Sequence, residues 1–160
     1  MQHKKQVKIV DTRLVREKTV LYQSKTGSRK IEEPKDVMEL MTSFLCSRGR
    51  EEVYVICLDG SDTPVAISKV FIGTNNLSIC STADVVKLAL LTNSPYLILV
   101  HTHPSGSTTP SRQDDVLTQK LIRVGKLFDI ELHDHIIIGD SGNEQMEFYS
   151  YREEDRLQWQ

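Results

Sequence analysis

Apolar and polar positions along this chain switch between two periods, and the switches mark its elements. Over residues 34–47, Val37, Leu40, Met41, Phe44 and Leu45 recur at i, i+3, i+4, i+7 and i+8. That is the stripe of an amphipathic helix, and Pro34 suits its first turn. Glu51-Glu52-Val53-Tyr54-Val55-Ile56-Cys57-Leu58-Asp59 is an apolar run opened by two carboxylates. A turn over 60–64 leads into Val65–Ile72, so the two runs predict a hairpin. Ser81 or Thr82 caps a second helix running to about Thr92. It is apolar over so much of its girth that it predicts burial against a sheet. Tyr96–Val100 is a short strand-forming run behind Asn93-Ser94-Pro95. A third helix follows from Ser111 to about Lys126, then a strand over Ile130–Gly139 and a last strand over Met146–Tyr151. Near the start, Val7–Val10 and Thr19–Tyr22 predict two short strands able to pair as an edge ribbon. The pattern predicts a mixed α/β fold, with a central mixed β-sheet and helices on both faces.

Composition adds bounds to this picture. With 160 residues and an ordinary apolar content, the chain is expected to form one globular core. Cys46, Cys57 and Cys80 are odd in number, widely spaced and form no Cys-x-x-Cys pair. They predict neither a disulfide framework nor a thiolate zinc site, and suit a reducing cytoplasm. Residues 1–10 hold lysines but no apolar core of a signal peptide, and no run approaches membrane-spanning length, so a soluble cytoplasmic protein is expected. The net charge of −2 is unevenly spread: residues 1–35 carry ten Lys/Arg against four Asp/Glu, a local +6, which leaves −8 for the rest. Residues 1–34 thus read as a basic extension that can meet nucleic acid or an acidic partner, or simply be solvated. Residues 35–151 read as the folded domain, and 152–160 as a charged tail ending near Trp159.

The chemistry concentrates where the central strand ends, at His101-Thr102-His103-Pro104-Ser105-Gly106-Ser107-Thr108-Thr109-Pro110-Ser111-Arg112-Gln113-Asp114. Residues at i and i+2 of a strand point to one side, so His101 and His103 can address one point. Asp114 falls in the first turn of the next helix. Two histidines and one carboxylate, with one coordination position left open, are the ligand set of a catalytic zinc site. Ser111-x-x-Asp114 is also the pattern of a helix N-cap, and a capped helix start is a rigid mount for a ligand.

His101-x-His103, seven residues, then Ser111-x-x-Asp114 resembles the JAMM motif of the JAB/MPN metalloprotease superfamily. With His101-Thr102-His103-Pro104-Ser105-Gly106, Pro110-Ser111 and Asp134-His135-Ile136-Ile137-Ile138-Gly139, the chain resembles the RadC-type branch over roughly residues 35–150. It carries Thr102 where that branch commonly has Asn, and the small helical DNA-binding-type domain that usually precedes the module is not expected here. The resemblance implies a JAB/MPN-like, cytidine deaminase-like layered fold. It also implies zinc held by His101, His103 and Asp114, and a hydrolase whose metal-activated water attacks an amide or isopeptide bond. The family's proton-accepting glutamate stands eight residues before a strand-ending acidic residue, here Asp59, which selects Glu51, with Glu52 the alternative if the spacing slips by one residue. Glu52, on the opposite face, is then expected to meet solvent. Ser111 is expected to donate to the oxyanion. Asp134 and His135 recur in the branch without being primary ligands and are expected to be structural or to support the ligands, with Ser105 in the turn and His133 incidental.

Rival metal chemistries fit less well. Barrel hydrolases that use His-x-His need further ligands on later strands, and only 57 residues follow His103. Zinc deaminases need His-x-Glu and Pro-Cys-x-x-Cys, and neither occurs. The serious alternative is a non-catalytic metal-binding or nucleic-acid-associated RadC-like module linked to DNA repair. Expected substrates are a peptide, an isopeptide or a small amide.

Overall fold

The computed structural model describes residues 14–15, 18–19, 27–42, 44, 50–73, 80–139 and 147–157. Five strands form one mixed sheet in the order β2-β1-β3-β4-β5. They are β1 (Glu51–Leu58), β2 (Pro64–Gly73), β3 (Tyr96–His103), β4 (Glu131–Gly139) and β5 (Glu147–Ser150), and three helices, α1 (Pro34–Met41), α2 (Thr82–Thr92) and α3 (Arg112–Lys126), complete the fold. β1 runs antiparallel to both β2 and β3, β3 and β4 are parallel, and β4 and β5 are antiparallel. The predicted mixed sheet with helices on both faces is therefore the fold. Two of its helices have the expected bounds to within a residue. Among the described residues, no helix is long and apolar enough to cross a membrane.

Strand alternation sorts the core into two halves. Val53, Val55, Cys57, Leu97 and Leu99 point to one face, where α2 (Val85, Val86, Ala89) and α3 (Leu117, Leu121) cover them. Tyr54, Ile56, Leu58, Ile98, Val100, Ile136 and Ile138 point to the other, under α1 (Val37, Leu40, Met41). Each such side chain taken out of water contributes roughly 1.5–3 kcal/mol, which fixes the register: a slip of one residue would swap the faces. The central strand β3 is covered on both sides, hence its unbroken apolar run.

Two expectations change. α1 ends at Met41 rather than near Ser47: Thr42 is its C-cap, and Phe44 sits in a turn whose N–H donates to the Met41 carbonyl at 2.8 Å. The β-branched Thr42 also turns its hydroxyl back on the Met38 carbonyl at 2.8 Å, an arrangement that weakens a helix end. In the second change, Leu90 of the apolar α2 is half exposed, so that helix is buried along one side only. The expected strands at 7–10 and 19–22, the turn at 139–142 and Trp159 lie outside the described residues, except that Thr19 belongs to no strand and Gly139 ends β4.

Candidate functional site

β3 carries its two histidines out of the core on the α2/α3 face. His101, 1% exposed, pairs with Val53 of β1 and Ile137 of β4, and His103 is the last residue of the strand. A Pro-Ser-Gly turn follows, closed by the Gly106 N–H on the His103 carbonyl at 3.1 Å. Gly106 has φ 79°, a left-handed conformation that suits glycine. Ser105, exposed, accepts the Ser107 N–H at 3.4 Å and belongs to this turn. The turn returns the Ser107 carbonyl to His103 Nδ1 at 2.7 Å. That bond makes Nδ1 the protonated nitrogen and leaves the Nε2 lone pair free.

Asp114 reaches the same point from α3. Ser111 is the N-cap, its Oγ accepting the Asp114 N–H at 3.2 Å while the Ser111 N–H donates to Asp114 Oδ2 at 2.6 Å. The sequence thus builds a reciprocal capping box whose acidic member is fully buried. Asp114 Oδ1 lies 3.0 Å from His101 Nδ1, and Oδ2 lies 3.8 Å from His103 Nε2. Burial alone would raise this carboxyl, but His101 and the Ser111 hydrogen bonds outweigh it and hold Asp114 well below the usual carboxylate range. It is an anion in the core.

Glu51 opens β1 on the same face as Val53, and offers a carboxylate oxygen within 4.8 Å of ligating nitrogens of His101 and His103. The three side chains form a group able to hold a metal ion, with Asp114 against both histidines. Glu51 Oε2, both ring nitrogens of His101 and Asp114 Oδ1 are buried with no hydrogen-bond partner. His101 Nδ1 and Asp114 Oδ1 stand at hydrogen-bond distance without hydrogen-bond alignment. Buried polar atoms normally find partners, and lone pairs that converge on one another without bonding are what a cation between them requires.

Glu52 departs from expectation. It does point to the opposite face, but it is 3% exposed, because α1 and the turn behind it cover that face. Lys69 Nζ donates to its Oε1 at 2.6 Å and the Tyr54 hydroxyl to its Oε2 at 2.7 Å. Thr102, the residue between the histidines, also points away from them, its Oγ1 accepting the Glu52 N–H at 3.1 Å.

The pair on β4 divides between the faces. His135 is fully buried beside the site, its ring centroid 6.3 Å from that of His101. Asp134 points to the α1 face. There it accepts from Ser150 Oγ at 2.6 Å and from the backbone N–H groups of His135 and Arg152 at 2.7 and 3.1 Å. Asp134 is therefore structural, tying β4 to the turn after β5. His133 stacks on Tyr96 with centroids 4.1 Å apart, away from the ligands.

Sequence reading missed the supports behind Asp114. Thr118, one turn on, donates its hydroxyl to the Asp114 carbonyl at 2.6 Å and meets His135 Nδ1 at 2.6 Å. Tyr151 stacks on His135 at 4.7 Å and donates to Asp115, which Arg156 grips with two bonds of 2.7 and 3.0 Å. The i, i+4 relation of Asp114 to Thr118 was open to a periodicity argument; the contacts of Tyr151 and Arg156 were not.

Comparison with known proteins matches this arrangement to a family. A family model described as "RadC-like JAB domain" matches residues 31–156. The UPF0758 protein of Methanosarcina mazei is 43% identical over 112 residues, 70% of this chain and 49% of its own. The UPF0758 protein of Chlorobium phaeovibrioides is 34% identical over 137 residues, 86% of this chain and 59% of its own. UPF0758 protein YkfG of Escherichia coli K12 is 39% identical over 121 residues, 76% of this chain and 73% of its own. The chain thus spans about half the length of the archaeal relative and about three quarters of YkfG. With two strand-end histidines, a capped helix aspartate and the layered sheet in place, and most of its length matched, the chain belongs to the RadC-like JAB domain family.

Proposed function

We propose that this chain is a zinc-dependent hydrolase of the JAMM type, acting on an amide or isopeptide bond. The observation that carries the proposal is the convergence of Glu51, His101 and His103 as a group able to hold a metal ion, with Asp114 against both histidines and with unpartnered buried atoms on Glu51, His101 and Asp114. His101, His103 and Asp114 hold the zinc ion in this reading, a set with the nitrogen and oxygen donors zinc prefers and one position left open. When bound, zinc supplies Lewis acidity, lowering the pKa of a water from about 16 towards 7.

The chain's own residues do the rest. Glu51 takes the proton of the attacking water and delivers it to the leaving nitrogen. It is near enough to both histidines to share one water with them, and unpartnered at Oε2. Ser111 has committed one oxygen lone pair to the Asp114 N–H. Its hydroxyl hydrogen remains available to the oxyanion, at an exposed position that substrate can reach. Such a donor contributes about 3–4 kcal/mol to the barrier when well placed. The Ser107 carbonyl fixes the His103 tautomer, so that Nε2 is presented as a ligand.

The test begins with elemental analysis of protein purified without added metal or a metal-binding tag. About one zinc per chain is expected in wild type, with loss in Asp114→Ala. A panel of peptide, isopeptide and small-amide substrates then follows. Glu51→Gln is expected to keep the zinc and lose roughly 10²–10⁴ in rate, the range of a general base. Zinc-loaded Glu51→Gln with undiminished hydrolysis would overturn the role of Glu51. A wild type that binds no zinc, even after reconstitution, would overturn the whole reading.

A further inference from the structure

His135 is not used by the proposed chemistry, yet it is completely buried beside a proposed ligand and its Nε2 has no partner. Its other nitrogen is accounted for. Thr118 Oγ1 lies 2.6 Å from both the Asp114 carbonyl and His135 Nδ1. A hydroxyl has one hydrogen, and the carbonyl can only accept, so Thr118 donates to Asp114 and accepts from His135 Nδ1–H. The imidazole is thereby fixed as the Nδ1–H tautomer with its Nε2 lone pair facing outward. Tyr151, stacked on its far side with planes 11° apart, blocks rotation and solvent there.

His101 presents the complementary need. Its Nδ1 is turned to Asp114 at 3.0 Å. With zinc held at Nδ1, as the proposed ligand role requires, the ring hydrogen falls on Nε2, and that nitrogen too is buried without a partner. The two rings are nearly parallel, 25° apart, with centroids separated by 6.3 Å. Neither Nε2 bonds the other ring directly, and one water shared between them would satisfy both. Two unsatisfied buried nitrogens, one donor and one acceptor, are the kind of partners such waters take.

We infer that His135 is a positioning residue for the metal centre, accepting the His101 Nε2–H through one buried water and, through Thr118, holding the backbone of Asp114. One imidazole on β4 would then tie together two ligands from different elements, β3 and α3. The inference rests on the proposed ligand roles of His101 and Asp114 and assigns a task to two residues outside the ligand set.

The test measures zinc affinity by competition with a chromogenic chelator for wild type, His135→Phe, His135→Gln and Thr118→Val. It is paired with long-range 1H–15N NMR of the His135 ring in metal-free protein. Loss of an outer partner of a ligating histidine weakens binding roughly 10–100-fold, and that is expected for His135→Phe. Thr118→Val should fall in the same range, and the double variant should be no weaker than the poorer single one, because both break the same link. His135→Gln, which keeps an acceptor, should recover part of the affinity. The wild-type His135 ring should be the Nδ1–H tautomer in NMR and a mixture in Thr118→Val. Zinc affinities within twofold of wild type, or a wild-type His135 ring in the Nε2–H form, would overturn the inference while leaving the zinc reading intact. A wild type that binds no zinc would instead remove the reading beneath it, and the NMR tautomer would still decide whether His135 donates to Thr118. If His135→Phe fails to fold, Thr118→Val and the NMR measurement decide alone.

Discussion

At the scale of single residues, the two adjacent glutamates of β1 show how one strand serves two purposes. Glu51 faces the histidines, and Glu52 faces Lys69 and the buried Tyr54 on the other side of the sheet. Burial and the neighbouring Glu52 raise the Tyr54 hydroxyl, so it stays a donor. Burial would lower Lys69, but Glu52 outweighs it and holds the ammonium above its ordinary range. A buried charge deprived of its partner costs more than the pair contributes. Lys69→Met is therefore expected to destabilise the fold by about 2–3 kcal/mol, somewhat less than a fully buried pair because Lys69 is one-third exposed. Adding Glu52→Gln should restore part of that loss. Urea denaturation of the two singles and the double would check it, and purely additive losses would contradict it. Strand alternation alone was enough to place Glu51 and Glu52 on opposite faces. It could not show that the second face is covered, since that depends on α1 folding back across β1 and on Lys69 arriving from β2.

Among the elements, the loop between β3 and α3 is held by its neighbours more than by its own sequence. Gly139, at the end of β4, lies opposite His103 in the register. A Cβ there would stand 2.3 Å from the Gly106 carbonyl oxygen and 3.0 Å from a Thr108 methyl. Gly139→Ala must push the loop outward, and with it the Ser107 carbonyl that orients His103. Such overpacking costs about 1–3 kcal/mol. Here it should also weaken zinc binding, read by chelator competition beside thermal melting. A variant that loses stability but keeps wild-type affinity would show that the loop does not orient His103. Ser111, His101, His103 and Asp114 were legible because capping and strand periodicity act over a few residues. Thr118 lies within one helical turn of Asp114 and could have been read the same way. Tyr151 and Arg156 meet Asp115 across 36 and 41 residues, a contact set only once β5 closes on β4. The length of α1 was misread because the apolar stripe continues past Thr42 while the backbone does not.

For the molecule as a whole, the sheet separates two carboxylates of opposite electrostatic character. Asp114, on the α2/α3 face, is held ionised by histidine and capping bonds. Asp134, on the α1 face, is pushed up to about 6 by burial, which outweighs the three hydrogen bonds it accepts. A carboxyl whose folded pKa exceeds its unfolded value binds protons more tightly when folded. Its contribution to stability is complete below the unfolded value near 3.8 and is lost as pH rises through about 6. Over pH 4.5 to 7.5 that loss amounts to about 2 kcal/mol at 1.36 kcal/mol per unit. Asp134→Asn removes the titration while keeping one acceptor oxygen. Its absolute stability should fall, because Ser150 and two backbone groups lose a charged acceptor. Its deficit relative to wild type should nevertheless shrink by about 2 kcal/mol between pH 4.5 and 7.5. Urea denaturation of both proteins at the two pH values, without metal, measures this directly. A deficit that is the same at both would mean that Asp134 is ionised throughout, with its hydrogen bonds fully offsetting burial. Because Asp134 lies across the sheet from the histidines, zinc affinity should be little changed in this variant. The pH response of the fold and the metal response of the site can then be read separately in one chain.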